Sequence, residues 1–374
     1  MTSLTTKPSL IGRVPGHAVP VYIGSGYLSR IGTIIRPARR GLALVLVTDR
    51  AVDRLYGSHA AAAFTRAGWV VRRIVLPGGE RIKSLRTVTQ LHRQWLAWRC
   101  DRTTPIVAMG GGTIGDVVGF AAATFLRGVP LWHVPTTILA QVDAAYGGKV
   151  GVNHPRGKNL IGCFYHPAGV IADPLLCRTV PARERRSGLA EVVKYGVIAD
   201  LALFRECELH LAAWSADAAS IDDRIVRRCA RIKMRFVSRD EHDMGPRHAL
   251  NFGHTLGHAF ERWGEYRRLR HGEAVILGMA AAAHIAWRRD LFAKRDLAHL
   301  LRLCGILRPH LRAALPVRQI TAYLRVDKKR AAERNVWVLP RRIGDVVFAD
   351  DVSPAEVKSA IEFINHWLRR PLFE

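Results

Sequence analysis

The sequence predicts an α/β domain over residues 1–177 followed by a mainly helical domain over 178–374. Three observations carry this. Apolar runs such as LALVLVTD (42–49), PIVAM (105–109) and VPLWHVPTT (129–137) end in polar residues or glycine, the pattern of buried parallel strands. A glycine triplet follows the second run and opens into a small-residue segment, as a strand-to-helix turn does. Strand-like runs then stop near 175–180 and helical periods take over.

Taken in order, residues 10–36 read as a short strand pair leading into a helix, with a break at Gly24-Ser-Gly. Residues 42–49 form the next strand and place Asp49 at its carboxyl end, where open α/β sheets bind ligands. A helix over 51–68 and a strand over 70–76 follow. The loop PGGERIKS (77–84) carries Glu80 and Lys83, and 85–100 is an amphipathic helix. The strand at 105–109 runs into GGGTIGD (110–116). Glycines there let the backbone approach a pyrophosphate, and the helix N-terminus adds N–H groups and a positive dipole. A tight turn without a ligand has the same letters. Asp116 in that turn suits a ribose or amide group better than a phosphate. Residues 129–137 end in the hydroxyls of Thr136 and Thr137. Asp143 and Lys149 flank a glycine pair, and 152–159 reads as a loop offering Asn153, Lys158 and Asn159.

In the helical part, SGLAEVVKYG (187–196) sets Glu191 and Lys194 three apart on one helix face among apolar neighbours, so the pair reads as buried. Residues 221–238 form a basic helix with Lys233, and 240–247 a charged loop. NFGHTLGHAFE (251–261) follows, then HGE (271–273), with three histidines in 18 residues. His254 and His258, four apart, share one helix face, and His271 returns after a short basic segment. Imidazoles at such spacing suit zinc or a similar borderline ion. A helix with two hydrogen-bonded histidines and an unrelated third reads the same way. A small-residue helix over 274–288, a loop at VDKKR (326–330), a short strand at 336–340 and a last helix over 354–368 complete the chain.

Composition narrows the class. A hydrophobic content of 49% and a charged content of 24% suit a globular enzyme with a sizeable core. No run of 18 uncharged apolar residues predicts a membrane span, and the N-terminus lacks a secretory layout. Six scattered cysteines without a C-x-x-C pair point to reduced thiols in the cytoplasm. The net charge of +26 invites a polyanion, yet the arginines are spread along the chain and no nucleic-acid module is present. These absences argue against nucleic acid as the main partner. A phosphorylated, carboxylated substrate would profit from the same field. Of 57 basic residues only ten are lysine, so the lysines mark positions where a compact, movable ammonium is wanted.

Together the motifs GGGTIGDVVGFAAATFLRG, VPTTILAQVDAAYGGKVGVNHPRGKNLIGCFYHP, SGLAEVVKYG, LNFGHTLGHAFE, HGEAV and DKK resemble the 3-dehydroquinate synthase family of sugar-phosphate cyclases over nearly the whole length. The resemblance implies an N-terminal Rossmann-like domain, a C-terminal helical metal-binding domain, and an active site in the cleft between them. It implies Zn2+ (or Co2+) held by Glu191, His254 and His271, with His258 handling protons and substrate instead. It implies NAD contacts from Asp49, Glu80, Lys83, Gly111, Gly112, Asp116, Thr136, Thr137, Asp143, Lys158 and Thr179. Substrate would meet Lys149, Asn159, Lys194, Lys233, Arg247, Asn251, His258 and one of Lys328 and Lys329. Arg127 would reach the phosphate of a neighbouring subunit, which implies a homodimer. Seven of the ten lysines fall in this set.

The implied reaction is that of a carbon–oxygen lyase acting on phosphate. It converts 3-deoxy-D-arabino-heptulosonate 7-phosphate to 3-dehydroquinate in the shikimate pathway of aromatic amino acid biosynthesis. Transient oxidation by NAD would precede phosphate elimination, reduction, ring opening and aldol closure. Oxidation first makes sense, because a ketone acidifies the neighbouring hydrogen and lets phosphate leave. Two positions depart from the family pattern: Ala51 stands where many members have Asn, and Asp243 where Glu is usual. The rivals are a sister cyclase such as aminodehydroquinate synthase, a metal-dependent polyol dehydrogenase, and a non-catalytic basic nucleic-acid-binding protein.

Overall fold

The computed structural model describes residues 7–311, 313–330 and 336–369, and for 325–330 the backbone alone. The chain forms two compact units, one of residues 1–180 with 221–242, the other of 181–220 with 243–374.

The first unit is built on a seven-stranded sheet. In chain order it comprises β1 (Leu10–Val14), β2 (His17–Ile23), a one-turn helix α1 (Ile31–Ile34), β3 (Ala43–Asp49), and α2 (Arg50–Val52), which runs through a π-helical turn into α3 (Ser58–Arg66). Then come β4 (Val70–Leu76), α4 (Leu85–Ala97), β5 (Ile106–Gly110), α5 (Gly112–Thr124), β6 (Leu131–Pro135), α6 (Ile138–Val142), β7 (Lys149–His154), β8 (Gly157–Phe164) and β9 (Gly169–Ala172). The sheet order is β1-β2-β9-β6-β5-β3-β4, with only β1–β2 antiparallel. Alternation along β3 and β5 sends Val45, Val47, Ile106 and Ala108 to one face, against α4 and α5. Leu44, Leu46, Val107 and Met109 face the other way, toward α1 and α3. Strands covered on both faces read as continuous apolar runs for this reason. The chain leaves β3 toward β4 on one side and returns as β5 on the other, so the β3–β5 boundary is a topological switch point.

The stretch expected as a loop over 152–159 is instead part of a β7–β8 hairpin, turning between His154 and Gly157. The polar residues Asn153, His154, Lys158 and Asn159 sit on the strand ends that flank the turn, and the register runs from Lys149 opposite Phe164.

Beyond Val180 the chain passes through α7 (Ala182–Ala199) and α8 (Leu201–Ala216) of the second unit. The basic helix α9 (Asp223–Arg239) belongs to the first. There Asp223 accepts from Ser25 (3.0 Å), Arg227 donates to the Ile23 carbonyl (2.8 Å), and Val226 and Ala230 pack on β2 and β9. The second unit continues with α10 (His254–Trp263), α11 (His271–Arg288), α12 (Lys294–Leu307), α13 (Val317–Arg330), the antiparallel pair β10 (Trp337–Arg342) and β11 (Asp345–Ala349), and α14 (Pro354–Arg369). Helix α11 is buried from Gly272 through Ala286 and packs against α7, α10, α12 and α14. Small residues all round let it serve as the unit's central post. The segment 326–330, read as a loop, is the end of α13; the Lys328 and Lys329 side chains lie outside the described residues.

Candidate active site

In the first unit, the carboxyl ends of β5 and β6 build a cavity lined by Gly111, Gly112, Gly115, Asp116, His133 and Lys149. Gly111 is the N-cap of α5 and supplies no side-chain cap, so the first N–H groups of that helix are available to an anion. Thr137 caps α6, accepting from the Ala140 amide at 3.2 Å, and its methyl group lies against Gly111. The Thr136 hydroxyl is buried with no partner among the described residues, a polar group left for a ligand or a water. The Lys83 ammonium bonds the Asp116 carboxylate at 2.6 Å and also the Asn159 side-chain carbonyl. Burial pushes the Asp116 carboxyl up, and Lys83 opposes that only in part. Asn159 sits at φ 54°, a conformation Asn tolerates better than most residues. Its amide donates to Asn153 Oδ1 (2.9 Å), and Asn153 donates in turn to Glu80 Oε1 (2.8 Å). Lys233 on α9 reaches Asp143 at 2.8 Å. Lys149 begins β7, with its ammonium 6.0 Å from the Phe164 ring, and Lys158 is half-buried in the hairpin.

Two predicted residues have other partners here, and a third lies on the surface. Asp49 caps α2, accepting from the amides of Ala51 (2.9 Å) and Val52 (3.1 Å). Thr179 bonds the Tyr56 hydroxyl at 3.0 Å. Arg127 is exposed, on a Leu126-Arg127-Gly128 turn whose three residues all have positive φ.

In the second unit, one ligand atom from each of Glu191, His254 and His271 falls within 4.8 Å of the others, the one such group among the described residues. Glu191 comes from the middle of α7, His254 opens α10 and His271 opens α11. Glu191 Oε1 lies 3.7 Å from His254 Nε2 and 3.5 Å from His271 Nε2. Burial alone would push the Glu191 carboxyl up; Lys194, beside Oε2, and then the two histidines outweigh it and hold the carboxyl well below its usual range. Burial, then Lys194, push His254 down, so its imidazole is neutral. Burial also works against a charged His271, but Glu191 and Glu261 together raise it to about 9. Both Glu191 oxygens are buried without a properly directed hydrogen bond. A carboxylate and two imidazoles so placed fit a divalent cation, with room left for substrate oxygens.

The pairing of His254 with His258 that helical spacing suggests is not the one the structure makes. Both rings are on α10, 5.5 Å apart, but His258 is exposed, and Glu191 from another helix takes the third place in the cluster. In the same unit Lys194 and Arg247 are each 1% exposed, and the Lys194 ammonium pairs with the Glu191 carboxylate. Asn251 is half-buried at the end of the turn that carries Arg247.

Two residues escaped the sequence reading. His133 lines the glycine cavity, and burial keeps its imidazole neutral by pushing it down to about 4. A polar residue inside the apolar run LWHVP was its one signal. Glu261 is buried beside His271, with Oε2 3.4 Å from Nδ1. It lies seven residues after His254, two turns along the same helix face.

Models of the 3-dehydroquinate synthase N-terminal and C-terminal regions match residues 73–187 and 188–330. The chain is 42% identical over 352 residues to the 3-dehydroquinate synthase of Symbiobacterium thermophilum, covering 92% of this chain and 97% of that one. Among solved structures it resembles a 2-epi-5-epi-valiolone synthase from Streptomyces hygroscopicus bound to NAD+ and Zn2+, with TM-score 0.85, 27% identity, and coverage of 96% and 99%. It also resembles 2-deoxy-scyllo-inosose synthase complexed with carbaglucose-6-phosphate, NAD+ and Co2+, with TM-score 0.83, 29% identity, and coverage of 95% and 99%.

Proposed function

The chain belongs to the 3-dehydroquinate synthase family, and from that premise we propose that it converts 3-deoxy-D-arabino-heptulosonate 7-phosphate to 3-dehydroquinate and phosphate as a carbon–oxygen lyase of the shikimate pathway. The observation that carries the reading is the cluster of buried Glu191 with half-buried His254 and His271, together with the buried cations Lys194 and Arg247 on the same unit. The family's reaction needs both a metal and anion-binding cations.

The cofactors are NAD and a divalent cation, Zn2+ or Co2+, as in the two related cyclases. When bound, the cation supplies Lewis-acid polarisation of a substrate oxygen, and NAD a temporary place for a hydride. The rest falls to the chain. Glu191, His254 and His271 hold the cation. The amides of Gly111 and Gly112 receive the NAD pyrophosphate, and Lys83, fixed by Asp116, orients the dinucleotide with Glu80, Asp116, Thr136, Thr137, Asp143 and Lys158. Asp49 and Thr179 join them only by giving up or sharing their present partners. Lys149, Asn159, Lys194, Lys233, Arg247 and Asn251 hold the phosphate, carboxylate and hydroxyls of the substrate. His258, exposed one turn beyond His254, exchanges a proton at its imidazole with substrate oxygens. One of Lys328 and Lys329 adds a further cation.

The enzyme acts as a homodimer in this reading, with Arg127 offered to the neighbouring subunit; its exposure and the adjoining 38% exposed Leu126 support that. No described helix is long and apolar enough to cross a membrane. The free thiols of all six cysteines are compatible with a reducing cytoplasm.

The test is phosphate release from the heptulosonate phosphate with catalytic NAD, before and after chelation. Metal-dependent release with 3-dehydroquinate and no net NADH is expected. Accumulating NADH would indicate a polyol dehydrogenase. NAD and metal binding without release would indicate a sister cyclase, to be tried next with the amino analogue of the substrate.

A further inference from the structure

We propose that Glu261 is the outer carboxylate of the metal site, a positioning residue that acts on the cation through His271. The inference deepens the metal reading and rests on it.

The geometry starts from the two histidines. Each imidazole gives one nitrogen to a cation, and the group that holds the other selects tautomer and ring orientation. His254 has a backbone partner for this: its Nδ1 lies 3.1 Å from the Phe252 carbonyl oxygen, leaving Nε2 toward Glu191. His271 has no comparable carbonyl among its described hydrogen bonds. Its Nδ1 faces Glu261 Oε2 at 3.4 Å, and its Nε2 faces Glu191 Oε1 at 3.5 Å. Glu261 and Glu191 therefore stand on opposite sides of one ring, at its two nitrogens. Glu261 is 5% exposed on the face of α10 that also bears His254. A carboxylate rarely occupies such a position without a charged or strongly polar partner.

The consequence is an asymmetry between the ligands. The neutral carbonyl behind His254 fixes direction only. The charge behind His271 also makes that imidazole a stronger donor to a cation, and removing such an outer partner typically costs about 10–100-fold in metal affinity.

The experiment uses the full-length protein, stripped of metal and titrated with Zn2+ and Co2+ against a chromophoric chelator. Helicity and NAD affinity serve as controls for folding. Glu261→Gln keeps the shape and loses the charge. It is expected to weaken metal binding by about 10–100-fold and to shift the visible absorption of bound Co2+, while NAD affinity stays at the wild-type value. Glu261→Asp, which keeps the charge but shortens the reach, is expected to fall between Gln and wild type. Should the Gln variant fail to fold, the Asp variant decides alone: metal affinity equal to wild type overturns the proposal. Wild-type affinity and an unshifted Co2+ spectrum in a folded Gln variant overturn it as well. His271→Ala separates the two readings. If wild type and His271→Ala bind metal equally, the metal site itself is wrong. If His271→Ala loses metal and Glu261→Gln does not, only the role of Glu261 falls.

Discussion

Lys83 illustrates how much one side chain can hold. Its ammonium is 5% exposed and joins Asp116 to Asn159, so it is anchored before any ligand arrives. Lys83→Met removes a charged donor from the proposed dinucleotide site, where such bonds contribute about 1.5–3 kcal/mol. The NAD dissociation constant should rise by about 10–100-fold in calorimetry; an unchanged constant would remove Lys83 from that site. Ala51 can be understood at the same scale. Its amide, not its side chain, donates to Asp49, so the missing Asn leaves the cap on α2 intact.

Helix contacts decide whether the metal ligands meet. Gly272 directly follows His271, and a Cβ there would lie 2.0 Å from the Ser187 carbonyl oxygen of α7, four residues before Glu191. Gly253 precedes His254 at φ 79°, and a Cβ there would lie 2.8 Å from the backbone of α11. Gly272→Ala must therefore push α11 from α7 and part His271 from Glu191. It should cost about 1–3 kcal/mol in denaturant melts and also lower zinc content after dialysis; full zinc retention would show that the helix spacing tolerates a methyl group. Arg183 guards the same contact, binding both Glu273 oxygens at 2.7 Å. In the same unit, Ser353-Pro-Ala-Glu356 forms a capping box on α14, with the Ser353 amide donating to Glu356 at 2.8 Å. Hydrogen bonds from Arg289 hold the Glu356 carboxyl down from its ordinary 4.5 to about 2, against the opposing pull of burial. Because the folded value is the lower one, this stabilisation is complete above pH 4.5 and is lost as pH falls through about 2. Glu356→Gln should cost about 1–2 kcal/mol at neutral pH. The gap to wild type should narrow in melts taken at successively lower pH, and a constant gap would refute the linkage.

The charge of the whole molecule, +26, exceeds anything its local ion pairs require. Acting on a polyanionic substrate, such a field raises the encounter rate and is screened by salt. Between about 0.01 M and about 1 M salt the Debye length shrinks from about 30 Å to about 3 Å, and kcat/KM should fall by about tenfold with kcat little changed. A flat salt profile would leave the charge without a part in catalysis. What the sequence determined by itself was local in origin. Strand runs, the glycine turn and the 254–258 spacing are legible because backbone geometry imposes fixed periods on neighbours along the chain. Tertiary structure alone decided what lies beyond that range. It put the basic helix α9 with the first unit, although the chain enters the helical unit before reaching it. It folded 149–164 as a hairpin, because pairing between strands depends on partners as much as on composition. It chose Glu191 over His258 for the cluster and set Glu261 behind His271. No spacing rule connects α7 to α10 and α11. Their approach is set by close packing at glycines, so residues 63 positions apart (Glu191 and His254) can stand nearer than a spacing of four would suggest.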